Sequence, residues 1–127
     1  YLLQQTEGKF TIIHSLDGYD EISLTGDTKV INNEGEKIMT PEQLGKRSVD
    51  PTDIYGGGTV EEAAKIFSKI LKGDGTWAQN AVVFANAAMA LHCTGLYKNY
   101  DDAYYAGVES LESGKARQAL EKLIGLQ

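Results

Sequence analysis

The sequence predicts an α/β fold, strands first and then helices. Three observations predict it. A β-branched and aromatic run, Lys9-Phe10-Thr11-Ile12-Ile13-His14, lies near the start, and two more strand-like segments surround Asn33-Glu34-Gly35. From Thr59 onward the chain turns to helix-capping signatures, each followed by apolar residues at helical spacing.

The first run shows little alternation, as expected of a strand covered on both faces in a parallel sheet. Ser15 to Glu21, with Gly18 and three acids, is expected to be a solvent-accessible loop at the carboxyl end of that strand, taken as central in its sheet. Open α/β sheets place their ligands at such ends. Lys29-Val30-Ile31-Asn32 and Glu36-Lys37-Ile38-Met39 flank Asn33-Glu34-Gly35, which reads as a three-residue hairpin loop with glycine for the left-handed position.

Thr59-Val60-Glu61-Glu62 is a capping box that opens a helix with Ala63, Ile66, Phe67, Ile70 and Leu71 on one face, ended by Gly73. Thr76-Trp77-Ala78-Gln79 repeats the signature. The helix from Trp77 to Cys93 is apolar nearly all round and should be the most buried, with Trp77 as a core anchor. Asn99 caps a third helix, Tyr100 to Ser113, with Asp101 and Asp102 in its first turn, and Gly114 precedes a last one, Lys115 to Ile124. No repeat, low-complexity tract or linker divides the chain.

Composition fits one ordinary globular domain: 127 residues, 42% hydrophobic and 24% charged. Twelve basic residues against 18 acidic ones leave a charge of −6 with no Lys/Arg cluster, which argues against nucleic-acid binding. One cysteine, Cys93, excludes an intrachain disulfide and points to a reducing, cytoplasmic setting. The longest nearly apolar run, Ala81 to Cys93, falls short of the roughly 20 residues a membrane span needs. The chain opens at Tyr1 with no initiator methionine and no secretory signal, so the expectation is a processed protein or a piece of a longer one.

The densest chemical constellation is Asp17-Gly18-Tyr19-Asp20-Glu21. Three crowded carboxylates need full solvation or a counter-cation. On the residues alone both readings stay open: a solvated acidic turn, or a Mg²⁺ site in which Asp20 and Glu21 supply hard oxygen ligands beside phosphates and water. Gly56-Gly57-Gly58-Thr59 lacks the ending of a nucleotide phosphate loop and reads as a turn feeding a capped helix. His14 and His92 have no second ligand at metal spacing and take structural roles, and Cys93 reads as a buried, inert thiol. No serine or cysteine lies in a nucleophile turn, so a hydrolase triad has no support.

The run His14-Ser15-Leu16-Asp17-Gly18-Tyr19-Asp20-Glu21-Ile22-Ser23-Leu24-Thr25-Gly26-Asp27-Thr28 resembles the signature of the anthranilate phosphoribosyltransferase family, V-V-H-G-x-D-G-L-D-E-x-S-L-T-G-x-T. Thr40-Pro41-Glu42-Gln43-Leu44-Gly45 is similar to its T-P-E-D-L-G segment, and Gly57-Gly58-Thr59-Val60-Glu61-Glu62-Ala63-Ala64 to its G-G-x-x-x-E-N-A. Asn80-Ala81-Val82-Val83 with Asn86-Ala87-Ala88, and then Ser113-Gly114-Lys115-Ala116, follow the family's order through to Leu123. Departures are Ser15 for glycine, Tyr19 for leucine, Asp27 for the frequent proline and Ala63 for asparagine.

The resemblance implies that residues 1–127 are the C-terminal portion of a phosphoribosyltransferase/nucleoside phosphorylase-type α/β domain. The family's upstream helical domain, its G-T-G-G-D donor-phosphate loop and its K-H-G-N segment are absent from this sequence. It implies a glycosyltransferase, homodimeric when whole, that moves phosphoribose from phosphoribosyl pyrophosphate to anthranilate in tryptophan biosynthesis. By motif, Asp20 and Glu21 are its magnesium ligands, and the chain alone is inactive. The rivals are a noncatalytic or nucleoside-phosphorylase-like relative, and a small acidic binding domain in which Asp20-Glu21 is only a turn.

Overall fold

The computed structural model describes residues 2–126. Three strands, β1 Thr11–Ser15, β2 Thr28–Asn32 and β3 Gly35–Met39, form an antiparallel sheet in the order β1-β2-β3. Five α-helices follow: α1 Pro41–Gly45, α2 Val60–Leu71, α3 Trp77–Thr94, α4 Tyr100–Glu112 and α5 Lys115–Ile124. Short 3-10 turns lie at Leu3–Gln5 and Pro51–Ile54. Strands precede helices, as the sequence predicts.

The β2–β3 hairpin forms, and its ladder runs one residue further than expected. Asn32 pairs with Gly35, which takes φ +129°, so Asn33 and Glu34 alone make the turn. For β1 the expectation fails. The strand starts at Thr11, pairs antiparallel with β2, and lies at the edge of this sheet rather than centrally in a parallel one. Its burial alternates: Ser15 is buried and Ile13 partly so, whereas His14 is exposed and Ile12 is 44% exposed. The run reads as uniformly apolar because Ile12 is apolar on an outward face that Leu2 and Leu3 border and leave half open.

Ile22, Leu24 and Val30 pack with Leu44 of α1 and with Ala78, Ala81, Ala85 and Met89 of α3. The small residues of α3 also admit α4 closely: Ala88 and Ala103 are fully buried, and a Cβ at Gly107 would lie 3.5 Å from that of Ala87. Phe84 and Tyr104 meet edge-to-face there, ring centroids 5.8 Å apart. The expectation that α3 is the most buried helix holds.

Helix starts follow their capping residues. Thr76 Oγ1 accepts the Gln79 N–H at 3.2 Å while Gln79 Oε1 accepts the Thr76 N–H at 3.0 Å, a complete capping box. Asn99 Oδ1 accepts the Asp102 N–H at 2.8 Å. Thr59 Oγ1 accepts the Glu62 N–H at 3.2 Å, but the Glu62 carboxylate reaches one residue further back, to the Gly58 N–H at 2.7 Å. The apolar face of α2 exists as a pattern and lacks burial. No α2 residue is buried, and Phe67 is 52% exposed, because no described element packs more than slightly against it, although Ile66, Ile70 and Leu71 are partly covered.

Candidate functional site

The loop after β1 is closed by its own backbone. Ser15 N–H donates to Tyr19 O at 3.0 Å, Gly18 N–H to Ser15 O at 3.0 Å, and Leu16 N–H to Asp27 O at 2.8 Å. Gly18 supplies the left-handed φ of +104° that this tight reversal needs. Leu16 to Glu21 are exposed, as expected of three acids in five residues, while Ser15 is wholly buried.

The three acids have different surroundings. The Asp17 carboxylate turns back into the loop, where the Thr25 hydroxyl donates to Oδ2 and the Ser23 hydroxyl lies 3.4 Å from Oδ1. A Cβ at Gly26 would approach Asp17 Oδ2 to 3.1 Å, so a residue without a side chain lets the carboxylate lie flat. Asp17 therefore ties the loop shut. Asp20 and Glu21 carry free carboxylates: among the described residues neither meets a hydrogen-bond donor or a cation.

Two side chains from distant elements hold the backbone beneath this pair. Ser15 Oγ donates to the Glu21 carbonyl at 2.6 Å and accepts the Ser23 N–H at 3.2 Å. Asn86, on α3, accepts the Ile22 N–H at 3.0 Å and donates through Nδ2 to Ile22 O at 2.8 Å, copying the pairing of a neighbouring strand. Ile22 and Leu24 are fully buried on either side of Ser23. The Glu21 carboxylate thus projects from a fixed base, and fixing the base removes entropy that ligand binding would otherwise cost.

Adjacent, solvated carboxylates of this kind are hard oxygen donors suited to a small divalent cation. Among the described residues no group of three or more His, Cys, Asp or Glu converges, so the protein here offers two ligands and not a cage. That donor set fits Mg²⁺, which commonly takes one or two carboxylates and completes its octahedron with waters and phosphate oxygens.

Elsewhere the structure treats the expectations unevenly, and the glycine turn fares best: with Glu62 filling its amide, Gly56-Gly57-Gly58 behaves as a turn feeding a capped helix. Trp77 is no core anchor. Its ring is 44% exposed and carries the Arg47 guanidinium 3.4 Å over its centroid. Cys93 is partly exposed rather than buried, because α3 frees its last turn near the surface. His14 is exposed, which leaves it no packing role, and His92 is partly buried with Nδ1 unpartnered. Ser15, Ser23, Thr25 and Asn86 are site residues that sequence reasoning passes over. The signal available is the unbroken Ser-Leu-Thr-Gly run after the acids, each member of which has a separate structural task.

Comparison with known proteins decides the family. Residues 2–117 match the glycosyl transferase family, a/b domain. The chain belongs to that family. Among curated glycosyl transferase relatives, the anthranilate phosphoribosyltransferase of Christiangramia forsetii is 50% identical over 97% of this chain and 37% of its own length. That of Bacteroides thetaiotaomicron is 47% identical over 99% and 38%. The chain therefore spans little more than a third of the curated relatives it matches. Of the solved structures, the anthranilate phosphoribosyltransferase of Thermus thermophilus superposes with a TM-score of 0.80 at 26% identity, covering 92% of this chain and 35% of that one. The Saccharomyces cerevisiae enzyme in complex with PRPP and Mg gives 0.70 at 22% identity, covering 89% and 32%, which shows a shared fold. The mixed α/β fold of this chain, strands before helices, is shared by the part of the Thermus thermophilus structure that it matches.

Proposed function

We propose that this chain is the C-terminal portion of the catalytic α/β domain of an anthranilate phosphoribosyltransferase, and that Asp20 and Glu21 hold its Mg²⁺ ion. The observation that carries the proposal is the pair of carboxylates on an anchored loop that have no partner among the described residues, in a chain half identical to enzymes of that name. The donor is phosphoribosyl pyrophosphate and the acceptor anthranilate, both in the whole enzyme. On this reading that enzyme is a cytoplasmic homodimer in tryptophan biosynthesis, with neither nucleic acid nor membrane as a partner. Among the described residues no helix is long and apolar enough to cross a membrane.

Bound Mg²⁺ would neutralise charge that gathers on the departing diphosphate. The chain's own residues bind and position. Asp20 and Glu21 bind the metal as carboxylates and take no part as general acid or base. Asp17, locked to Thr25, holds their loop closed. Groups that bind the sugar phosphate and anthranilate lie in the upstream portion of the enzyme, so this chain alone lacks half of the positioning machinery.

The test is transfer of phosphoribose to anthranilate, measured with and without the upstream portion. Magnesium-dependent turnover only when both portions are present supports the proposal. Turnover by the 127-residue chain alone contradicts this division of labour, and no turnover with both portions present contradicts the function.

A further inference from the structure

The peptide unit joining Glu21 to Ile22 is gripped at both ends by side chains. Its carbonyl oxygen accepts from Ser15 Oγ at 2.6 Å, and its N–H donates to Asn86 Oδ1 at 3.0 Å. Ser15 closes β1 and is fully buried. Asn86 stands in the middle of α3 and is braced there, because Nδ2 also donates to Val82 O at 2.9 Å, one turn back in the same helix.

A peptide plane has no internal freedom, so holding it at both ends fixes the positions of the Glu21 Cα and carbonyl and of the Ile22 nitrogen. Ile22 cannot shift in response. Its side chain is 0% exposed in the core, and its carbonyl is held by the same Asn86 amide at 2.8 Å. Upstream the Tyr19 carbonyl accepts the Ser15 N–H at 3.0 Å, so only Asp20 separates Glu21 from a second anchor and the Glu21 Cα–Cβ bond is confined to a narrow range of directions. Solvent-exposed residues 16–20 have no such clamp from α3.

We infer that Ser15 and Asn86 are positioning residues that aim the Glu21 carboxylate at the metal, acting through the peptide between Glu21 and Ile22. The inference rests on the reading of Asp20 and Glu21 as Mg²⁺ ligands and adds what orients one of them. Ser15 stands where the family signature quoted above has glycine, which has no side chain to make the bond. In this chain the Ser15 hydroxyl makes one half of the clamp and the Asn86 amide the other. Groups that orient a metal ligand typically change affinity or activity by about 10-fold to 100-fold when removed.

The experiment is a double-mutant cycle in the whole enzyme, read as the Mg²⁺ concentration giving half-maximal rate. Ser15→Ala, Asn86→Ala and Glu21→Gln are each combined, and hydrogen exchange of the Ile22 amide is followed in the metal-free protein. Ser15→Ala and Asn86→Ala should each raise the Mg²⁺ requirement by about 10-fold. Neither should raise it further in the Glu21→Gln background. Asn86→Ala should speed exchange at Ile22 by about tenfold, the equivalent of one lost hydrogen bond. Shifts that add to Glu21→Gln, or unchanged Mg²⁺ dependence in Ser15→Ala, overturn the inference while leaving Glu21 a ligand. If Glu21→Gln itself leaves the Mg²⁺ dependence unmoved, the metal-site reading falls and the inference with it. Should Asn86→Ala lose its cooperative melt, Ser15→Ala and its double with Glu21→Gln decide the matter.

Discussion

Leu24 adopts a left-handed backbone, φ +60°, and its fully buried side chain lies against Gly45 so closely that a Cβ there would overlap Leu24 Cδ1. Two motifs far apart in sequence, Ser23-Leu24-Thr25-Gly26 and Thr40-Pro41-Glu42-Gln43-Leu44-Gly45, interlock through this contact. The carbonyl of Leu24 accepts the Val49 N–H at 2.9 Å, which holds the unusual backbone in place. Gly45→Ala should therefore destabilise by about 1–3 kcal/mol through overpacking. Urea denaturation of parent and variant measures it.

Asp17 and the Asp20–Glu21 pair should separate in stability. Asp17→Ala removes the charged acceptor that the Thr25 and Ser23 hydroxyls share and should cost about 1.5–3 kcal/mol, the range for hydrogen bonds to a charged group. Asp20→Ala with Glu21→Ala removes two exposed side chains with no partner among the described residues, so stability should move by no more than about 0.5 kcal/mol. Melting curves of the two variants check the contrast.

Tyr100 gives the fold a defined alkaline limit. Its hydroxyl lies 2.9 Å from the carbonyls of both Leu44 and Ala85, and burial pushes its pKa far above the ordinary phenol value of 10.0. A folded-state pKa raised above the unfolded one gives stability that is complete below the unfolded value and lost as pH climbs past it. The hydrogen bond from Lys46 to Asp101, at 2.5 Å, raises the Lys46 pKa above 10.5 and acts in the same direction. The melting temperature should be flat near pH 8 and fall from about pH 10 upward. Tyr100→Phe should lower it by the equivalent of about 0.5–1.5 kcal/mol at pH 8 and make the alkaline fall shallower.

Arg47 over Trp77 offers a probe, since Trp77 is the one tryptophan in the sequence. Both side chains reach solvent, so the stack should contribute about 0.5–1 kcal/mol. Arg47→Ala should alter tryptophan emission while leaving the far-ultraviolet circular dichroism of α3 unchanged. Emission identical to the parent would show that the stack does not form in solution.

What the sequence shows of this fold is local. Thr76 and Gln79, or Asn99 and Asp102, lie three residues apart, so their caps are readable from spacing. The Asp20–Glu21 pair is legible by motif and by the physics of crowded acids. Asn86 is not, because its partner Ile22 is 64 residues away and nothing near an asparagine inside a helix announces a backbone it will grip. Ser15 reads in the sequence as a departure from glycine, and in the structure it is the buried hub beneath the loop. An α3 that is apolar nearly all round suggests a core position for Trp77, yet alanines fill its tight contacts and leave the larger ring outside. The face of α2 is recognisable from its period, which says which residues share a side and not whether anything covers it.

The central claim is that Asp20 and Glu21 hold the metal, and the most direct measurement is the rate of the whole enzyme against Mg²⁺ concentration for the parent and for Asp20→Ala with Glu21→Ala. The expected result is a loss on the order of 10²-fold or more at ordinary Mg²⁺, with an unchanged melting curve and partial recovery as Mg²⁺ is raised. An unchanged rate with an unchanged Mg²⁺ dependence would contradict the claim and reduce the two acids to a solvated turn.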